Sequence, residues 1–121
     1  MSKTILTVDD SRTMREMLRF ALADAGYEVV QAEDGAHGLE VLEAVSPDAI
    51  ITDINMPRLD GFGFIEGVRG TERHRAVPIL VLTTESDSQK KDRARRAGAT
   101  GWIVKPFNPV KLVDAIRRVT A

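Results

Sequence analysis

Three stretches of this chain, Thr4-Ile5-Leu6-Thr7-Val8, Ala49-Ile50-Ile51-Thr52 and Ile79-Leu80-Val81-Leu82, are apolar or β-branched at every position. Two of them run straight into carboxylates, Asp9-Asp10 and Asp53, and the third into Thr83-Thr84-Glu85. A strand with one wetted face alternates apolar and polar residues. An unbroken run predicts a strand buried on both faces, as in a parallel sheet covered by helices. Each run then delivers its terminal polar group to the carboxyl end of a strand, the edge at which open α/β sheets bind ligands. Pro57 cannot donate to a ladder, so the turn after Asp53 is abrupt.

The intervening segments read as helices. Ser11 predicts an N-cap, and Met14, Met17, Leu18, Ala21, Leu22 and Ala25 form one apolar stripe that Gly26 ends with a left-handed cap. Tyr27 to Ala32 alternates weakly, as a strand near a sheet edge does. After a turn at Asp34-Gly35, Leu39, Leu42 and Val45 predict a second helix stopped by Ser46-Pro47. A turn at Asp60-Gly61 leads to a third, carried by Phe62, Ile65 and Val68 and ending near Gly70. The helix from Asp87 to Ala97 has only Ala94 and Ala97 as apolar members, so it buries little and is a candidate for motion or partner contact. Gly98 caps it, residues 100–104 form a fifth strand ended by Lys105-Pro106, and a last helix from Pro109 turns Leu112, Val113, Ile116 and Val119 inward. Strands and helices in strict alternation, joined by right-handed crossovers, predict an α/β fold: a doubly wound five-stranded parallel sheet with helices on both faces.

Composition narrows the function. With 121 residues, a net charge of -1 and 43% hydrophobic residues, the expectation is one soluble domain spanning 1–121. The absence of cysteine excludes disulfides and thiolate metal sites. No signal-peptide core or membrane span is present, so a cytoplasmic location is the default expectation and membrane insertion is not expected. Residues 1–60 hold 5 basic and 12 acidic side chains and residues 61–121 hold 12 and 6, which places carboxylates early and arginines late. Lys90 to Arg96 is basic, but its charges are dispersed and no aromatics interleave, which favours a solvated or protein-binding face over nucleic acid. Gly61-Phe62-Gly63 is not a dinucleotide fingerprint. His37 and His74 have no partner at ligand spacing and are expected to be exposed; Phe20, Phe62, Phe64 and Phe107 are expected to be core or half-buried.

In a parallel sheet the strand ends converge, bringing Asp9, Asp10, Asp53, Thr83 and Lys105 to one edge. Singly, each is an ordinary cap, turn or surface residue. Together they form a problem in charge, because adjacent carboxylates raise one another's pKa unless cations join them. Lys105 supplies one positive charge, and Mg²⁺ fits the remainder: it takes one or two carboxylates, a carbonyl oxygen and retained waters, and is habitually paired with phosphate. Such a pocket suits phosphoryl transfer to a carboxylate, with Asp53 as nucleophile. Asp9, Asp10 and Asp53 with the main-chain oxygen of Asn55 would hold the metal, and Thr83 and Lys105 would receive the phosphoryl oxygens.

Four motifs, ILTVDD at 5–10, ITDINMPRLDG at 51–61, LTTESD at 82–87 and GWIVKPF at 101–107, occur in this order on alternating elements. In them the chain resembles the receiver domain of two-component response regulators, and in particular the stand-alone chemotaxis regulators of the CheY type. The resemblance covers essentially the whole chain. It implies the flavodoxin-like strand order 2-1-3-4-5, a histidine kinase of the CheA type as phosphodonor, and a switch pair of Thr83 and Trp102. It further implies a monomer without an output domain, which acts as an acceptor switch assisting its own phosphorylation and dephosphorylation and is not an enzyme. Its partner would read the face of the fourth helix, fifth strand and fifth helix; the flagellar motor switch protein, another signalling protein, or no target at all, as in a phosphate sink, are the alternatives. Trp102 stands where the family usually has Tyr or Phe, Thr84 where a small residue is common, and the Lys105-Pro106 bond is often cis in relatives. An aspartate-nucleophile phosphatase commonly carries a second carboxylate two residues after its nucleophile. Here that residue is Asn55, which favours the switch.

Overall fold

The computed structural model describes residues 2–121. The elements run β1 (Thr4–Val8), α1 (Arg12–Asp24), β2 (Glu28–Ala32), α2 (Gly35–Val41), β3 (Ala49–Thr52), α3 (Gly61–Arg69), β4 (Ile79–Thr83), α4 (Ser88–Ala97), β5 (Gly101–Val104) and α5 (Pro109–Thr120), with a 3₁₀ turn at Glu72–His74. All pairings are parallel and the sheet order is β2-β1-β3-β4-β5, the flavodoxin-like order expected.

Alternate residues of the central strands serve two separate cores, which is why their sequences show no polar alternation. Leu6, Val8, Ile50, Ile79 and Val81 pack with Phe62, Phe64, Ile65 and Val68 of α3. Ile5, Ala49, Ile51, Leu80 and Leu82 pack with Leu18 and Leu22 of α1 and Leu112 and Ile116 of α5. Strand β2 lies at the sheet edge and is only partly buried, in keeping with its weak alternation. Ser11 caps α1 by accepting the Met14 N–H, and Gly26, at φ +93°, follows that helix in the left-handed region.

Five expectations fail in detail. Helix α2 stops at Val41, before Leu42 and Val45. The chain there tightens into i→i+3 bonds, Glu43 N–H to Glu40 O and Ala44 N–H to Val41 O, while the 3₁₀ turn supplies side-chain donors to the next carbonyls: His74 to Leu42 O and Arg73 to Glu43 O. His74 is therefore buried, contrary to the expectation of exposure. His37 is half-buried, and its Nδ1 accepts the Glu33 N–H at 3.1 Å. Phe20 is 75% exposed, because the inward line of α1 runs through Leu18 and Leu22 and a residue two places from each faces away; Met17, beside that line, is 50% exposed.

The apparent turns at Asp34-Gly35 and Asp60-Gly61 are helix starts: Asp34 caps α2 through the His37 N–H, and Asp60 caps α3 through the Gly63 N–H. Asp34 has a second role. Arg58, in the loop between β3 and α3, grips it with two hydrogen bonds, Nε to Oδ2 at 2.7 Å and Nη2 to Oδ1 at 3.0 Å. These bonds, followed by the one from the His37 N–H, hold the Asp34 carboxyl below the usual carboxylate range. Arg58 itself sits at φ +65°, a left-handed conformation that costs a residue with a Cβ about 1 kcal/mol. Helix α4 buries Ala94 alone and half-buries Ala97, as its composition implies. Its Arg93 guanidinium lies 4.1 Å from the centre of the Phe62 ring.

Candidate functional site: an acidic pocket at the sheet edge

The three central strands meet the site directly. Asp9 follows β1 with its N–H on Ala32 O, and Asp53 follows β3 with its N–H on Val8 O at 2.9 Å. Adjacent strands thus set the two carboxylates side by side. Lys105 comes from the far side of the sheet: its N–H continues the β4–β5 ladder onto Thr83 O at 2.8 Å, and the bond to Pro106 is cis.

The Lys105 ammonium bridges both acids, 3.0 Å from Asp9 Oδ2 and 2.8 Å from Asp53 Oδ2, with its side chain only 12% exposed. Asp53 Oδ1 accepts the N–H of Ile54, and Asp9 Oδ1 accepts the N–H of Ser11. Asp9 and Asp53 are buried and Asp10 lies exposed at the rim. One carboxylate oxygen from each of the three lies within 4.8 Å of the others.

Burial and like charges set the electrostatics of the site. Burial pushes the Asp9 carboxyl up; the Ser11 N–H and Lys105 pull it back, and the Asp53 charge adds to the rise. For Lys105 burial pulls the ammonium down, but the hydrogen bonds to Asp53 and Asp9 outweigh it and the net displacement is upward. One ammonium against three carboxylates leaves an excess of negative charge. The donors are all hard oxygens, so the set suits a divalent cation of the Mg²⁺ kind.

The sign of the Asp9 displacement fixes a stability prediction. A carboxyl whose folded pKa lies above its unfolded value favours folding at low pH, and that contribution is lost as pH rises through the folded value, so ionised Asp9 burdens the metal-free fold at neutral pH. Asp9→Asn is therefore expected to raise the metal-free Tm at pH 7. Mg²⁺ at a hundredfold excess over its Kd should stabilise the parent by about 2.7 kcal/mol and the variant far less. Calorimetric scans with EDTA and with Mg²⁺ measure both; equal Mg²⁺ stabilisation of parent and variant would place the cation elsewhere.

Thr83 closes β4 fully buried, its hydroxyl accepting the Glu85 N–H at 3.4 Å. Thr84 is exposed. Trp102 is half-buried against the α3–α4 side of the core, and its Nε1 donates to Glu85 O at 3.1 Å. Glu85, which the sequence marks as one of the polar residues ending β4 without a role of its own, gathers several of these residues: its carboxylate accepts from Asn55 Nδ2 at 3.0 Å and pairs with Lys90 at 3.0 Å. Arg15 was unmarked. Its guanidinium donates to the main-chain oxygen of Asp9 at 2.6 Å, tying α1 to the acidic loop. No spacing rule points to either residue, because each acts on a loop whose path the sequence pattern leaves open.

A parallel β2-β1-β3-β4-β5 sheet with two acids and a lysine fastened at its carboxyl edge defines a receiver domain. Residues 5–117 match the response regulator receiver domain family, and the chain belongs to it. Among relatives, it is 38% identical to the chemotaxis protein CheY1 of Helicobacter pylori over 117 residues, covering 95% of this chain and 94% of that one. Among solved structures, it superposes on the chemotaxis response regulator CheY4 of Vibrio cholerae with a TM-score of 0.93 and 44% identity, over 98% of this chain and 99% of that one. The receiver domain of the sensor histidine kinase PA1611 from Pseudomonas aeruginosa, solved with a magnesium ion coordinated in its active-site cleft, aligns at a TM-score of 0.92 and 28% identity, covering 99% of this chain and 98% of that one. No helix among the described residues is long and apolar enough to cross a membrane.

Proposed function

We propose that this chain is a chemotaxis-type phosphorylation switch in which Asp53 accepts a phosphoryl group from a histidine of a CheA-type kinase in the cytoplasm. The observation that carries the reading is the convergence of the Asp9, Asp10 and Asp53 carboxylates within 4.8 Å around a buried lysine. Asp53 forms the new P–O bond while the P–N bond to the kinase imidazole breaks; the imidazole leaves with the electron pair and takes up a proton. Lys105 and the Thr83 hydroxyl receive the phosphoryl oxygens, whose charge the ammonium is already placed to offset. Asp9, Asp10 and Asp53 with the main-chain oxygen of Asn55 would hold Mg²⁺, which would supply positive charge to offset that of the transferring group.

Transfer of Lys105 from its two carboxylates toward the phosphoryl group would disturb the loop held by Glu85, and Thr83 and Trp102 form the switch pair on that path. The face of α4, β5 and α5 then changes for a partner, either the flagellar motor switch protein or another signalling protein. Asn55 cannot serve as the second acid–base group of an aspartate phosphatase, and its amide is engaged by Glu85. A kinase mixed with the chain should transfer label in Mg²⁺ and not in EDTA. A pull-down with and without beryllofluoride should then retain a partner only in its presence. Transfer without any beryllofluoride-dependent partner would identify a phosphate sink, and absence of transfer would overturn the reading.

A further inference from the structure

The β3–α3 loop departs from Asp53 and is fastened at its far end in an unusual manner. Arg58 occupies the left-handed region at φ +65° with a full side chain, where glycine would be relaxed. What it gains there is a two-pronged grip on Asp34, 2.7 and 3.0 Å long, on a carboxylate whose side chain is only 5% exposed. The same carboxylate caps α2 through the His37 N–H at 2.8 Å. One residue further on, Leu59 O accepts the Gly35 N–H at 3.1 Å, and a Cβ on Gly35 would collide with that oxygen. At its end the loop closes on itself, Gly61 N–H to Ile54 O at 2.8 Å. Asn55 lies inside this closure, two residues after the acceptor and three before Arg58.

We infer that the Asp34–Arg58 pair is a positioning clamp: it fixes the path of residues 54–60 against the start of α2 and thereby sets the cation affinity of the Asp53 pocket. The inference rests on the phosphoacceptor reading and goes beyond it, since neither residue touches the pocket. Arg58 accepts a strained backbone that serves no packing purpose, its side chain being 55% exposed, and its one strong interaction is with the residue that starts the neighbouring helix. Severing the grip frees the loop to sample other paths, and a cation that takes the Asn55 main-chain oxygen from it must then fix that oxygen on binding.

Two substitutions test this. Arg58→Gly removes the grip while keeping the left-handed residue comfortable, and Asp34→Asn keeps an oxygen for the His37 N–H while removing the charge. Mg²⁺ affinity of the unphosphorylated protein, measured by titration calorimetry, is expected to weaken at least threefold in each, with the double variant no weaker than the worse single one. The Tm of Arg58→Gly should stay within a few degrees of the parent, so that affinity moves without stability. Parent-like Mg²⁺ affinity in both variants would overturn the clamp alone. Weakening that merely tracks a fall in Tm would reduce it to a fold-stabilising pair. If the parent itself fails to bind Mg²⁺, the phosphoacceptor reading falls first.

Discussion

Asp53→Asn is expected to reduce labelling by a small phosphodonor such as acetyl phosphate to background, with the fold intact. The amide keeps the size of the carboxylate and an oxygen for the Ile54 N–H, but it offers no anionic oxygen to attack phosphorus. The loss should be essentially complete, because the neighbouring acids are poor substitutes: Asp9 is bound by Lys105 and the Ser11 N–H, and Asp10 lies at the exposed rim. Mass spectrometry of the intact chain after incubation with donor and Mg²⁺ reads the result as gain or absence of one phosphoryl mass. Labelling of the variant at the parental yield would show that the acceptor lies elsewhere.

Gly61→Ala should damage both stability and acceptor chemistry. A Cβ at Gly61 would collide with the main-chain oxygen of Asp53 and stand 2.7 Å from Ile54 Cα. Both neighbours are backbone and cannot swing aside, so the loop that follows Asp53 must shift. Overpacking of this kind costs about 2 to 3 kcal/mol, a fall in Tm of about 10 °C for a domain of this size. Labelling at Asp53 should slow in parallel. Gly63→Ala provides the control: its Cβ meets Leu59 Cδ1 at 2.5 Å, the far end of a flexible side chain, and alanine favours the helix, so stability should stay within about 1 kcal/mol of the parent. If both variants melted alike, the close approach of α3 to the acceptor would not be what excludes a side chain at Gly61.

The sheet and the core of the site were legible for one reason: each central strand is apolar or β-branched throughout and then gives way to polar residues. A run such as Ala49 to Thr52 followed by Asp53 tells both that the strand is buried and where its working end lies. Parallel pairing then does the rest, bringing Asp9, Asp53 and Lys105 together from distant parts of the chain. Less was legible wherever a loop decides the outcome. His74 looked solitary, yet a 3₁₀ turn folds it onto the frayed end of α2. Phe20 looked like core because it is aromatic, but its angle around α1 overrides its hydrophobicity. Glu85, Arg15 and the Asp34–Arg58 pair carry no local pattern, since what they hold is the course of the main chain and not a packed face.

Among the described residues, strand β5 borders only β4, leaving its outer flank free of any other strand. The ammonium that offsets the acids is therefore delivered from the end of an edge strand. A molecule on that outer flank that shifted Lys105 would change the charge balance at Asp53. By thermodynamic reciprocity, occupancy of Asp53 must alter the hold on that molecule by the same factor. An outer strand with one neighbour is thus a lever whose two ends are the pocket and whatever lies alongside.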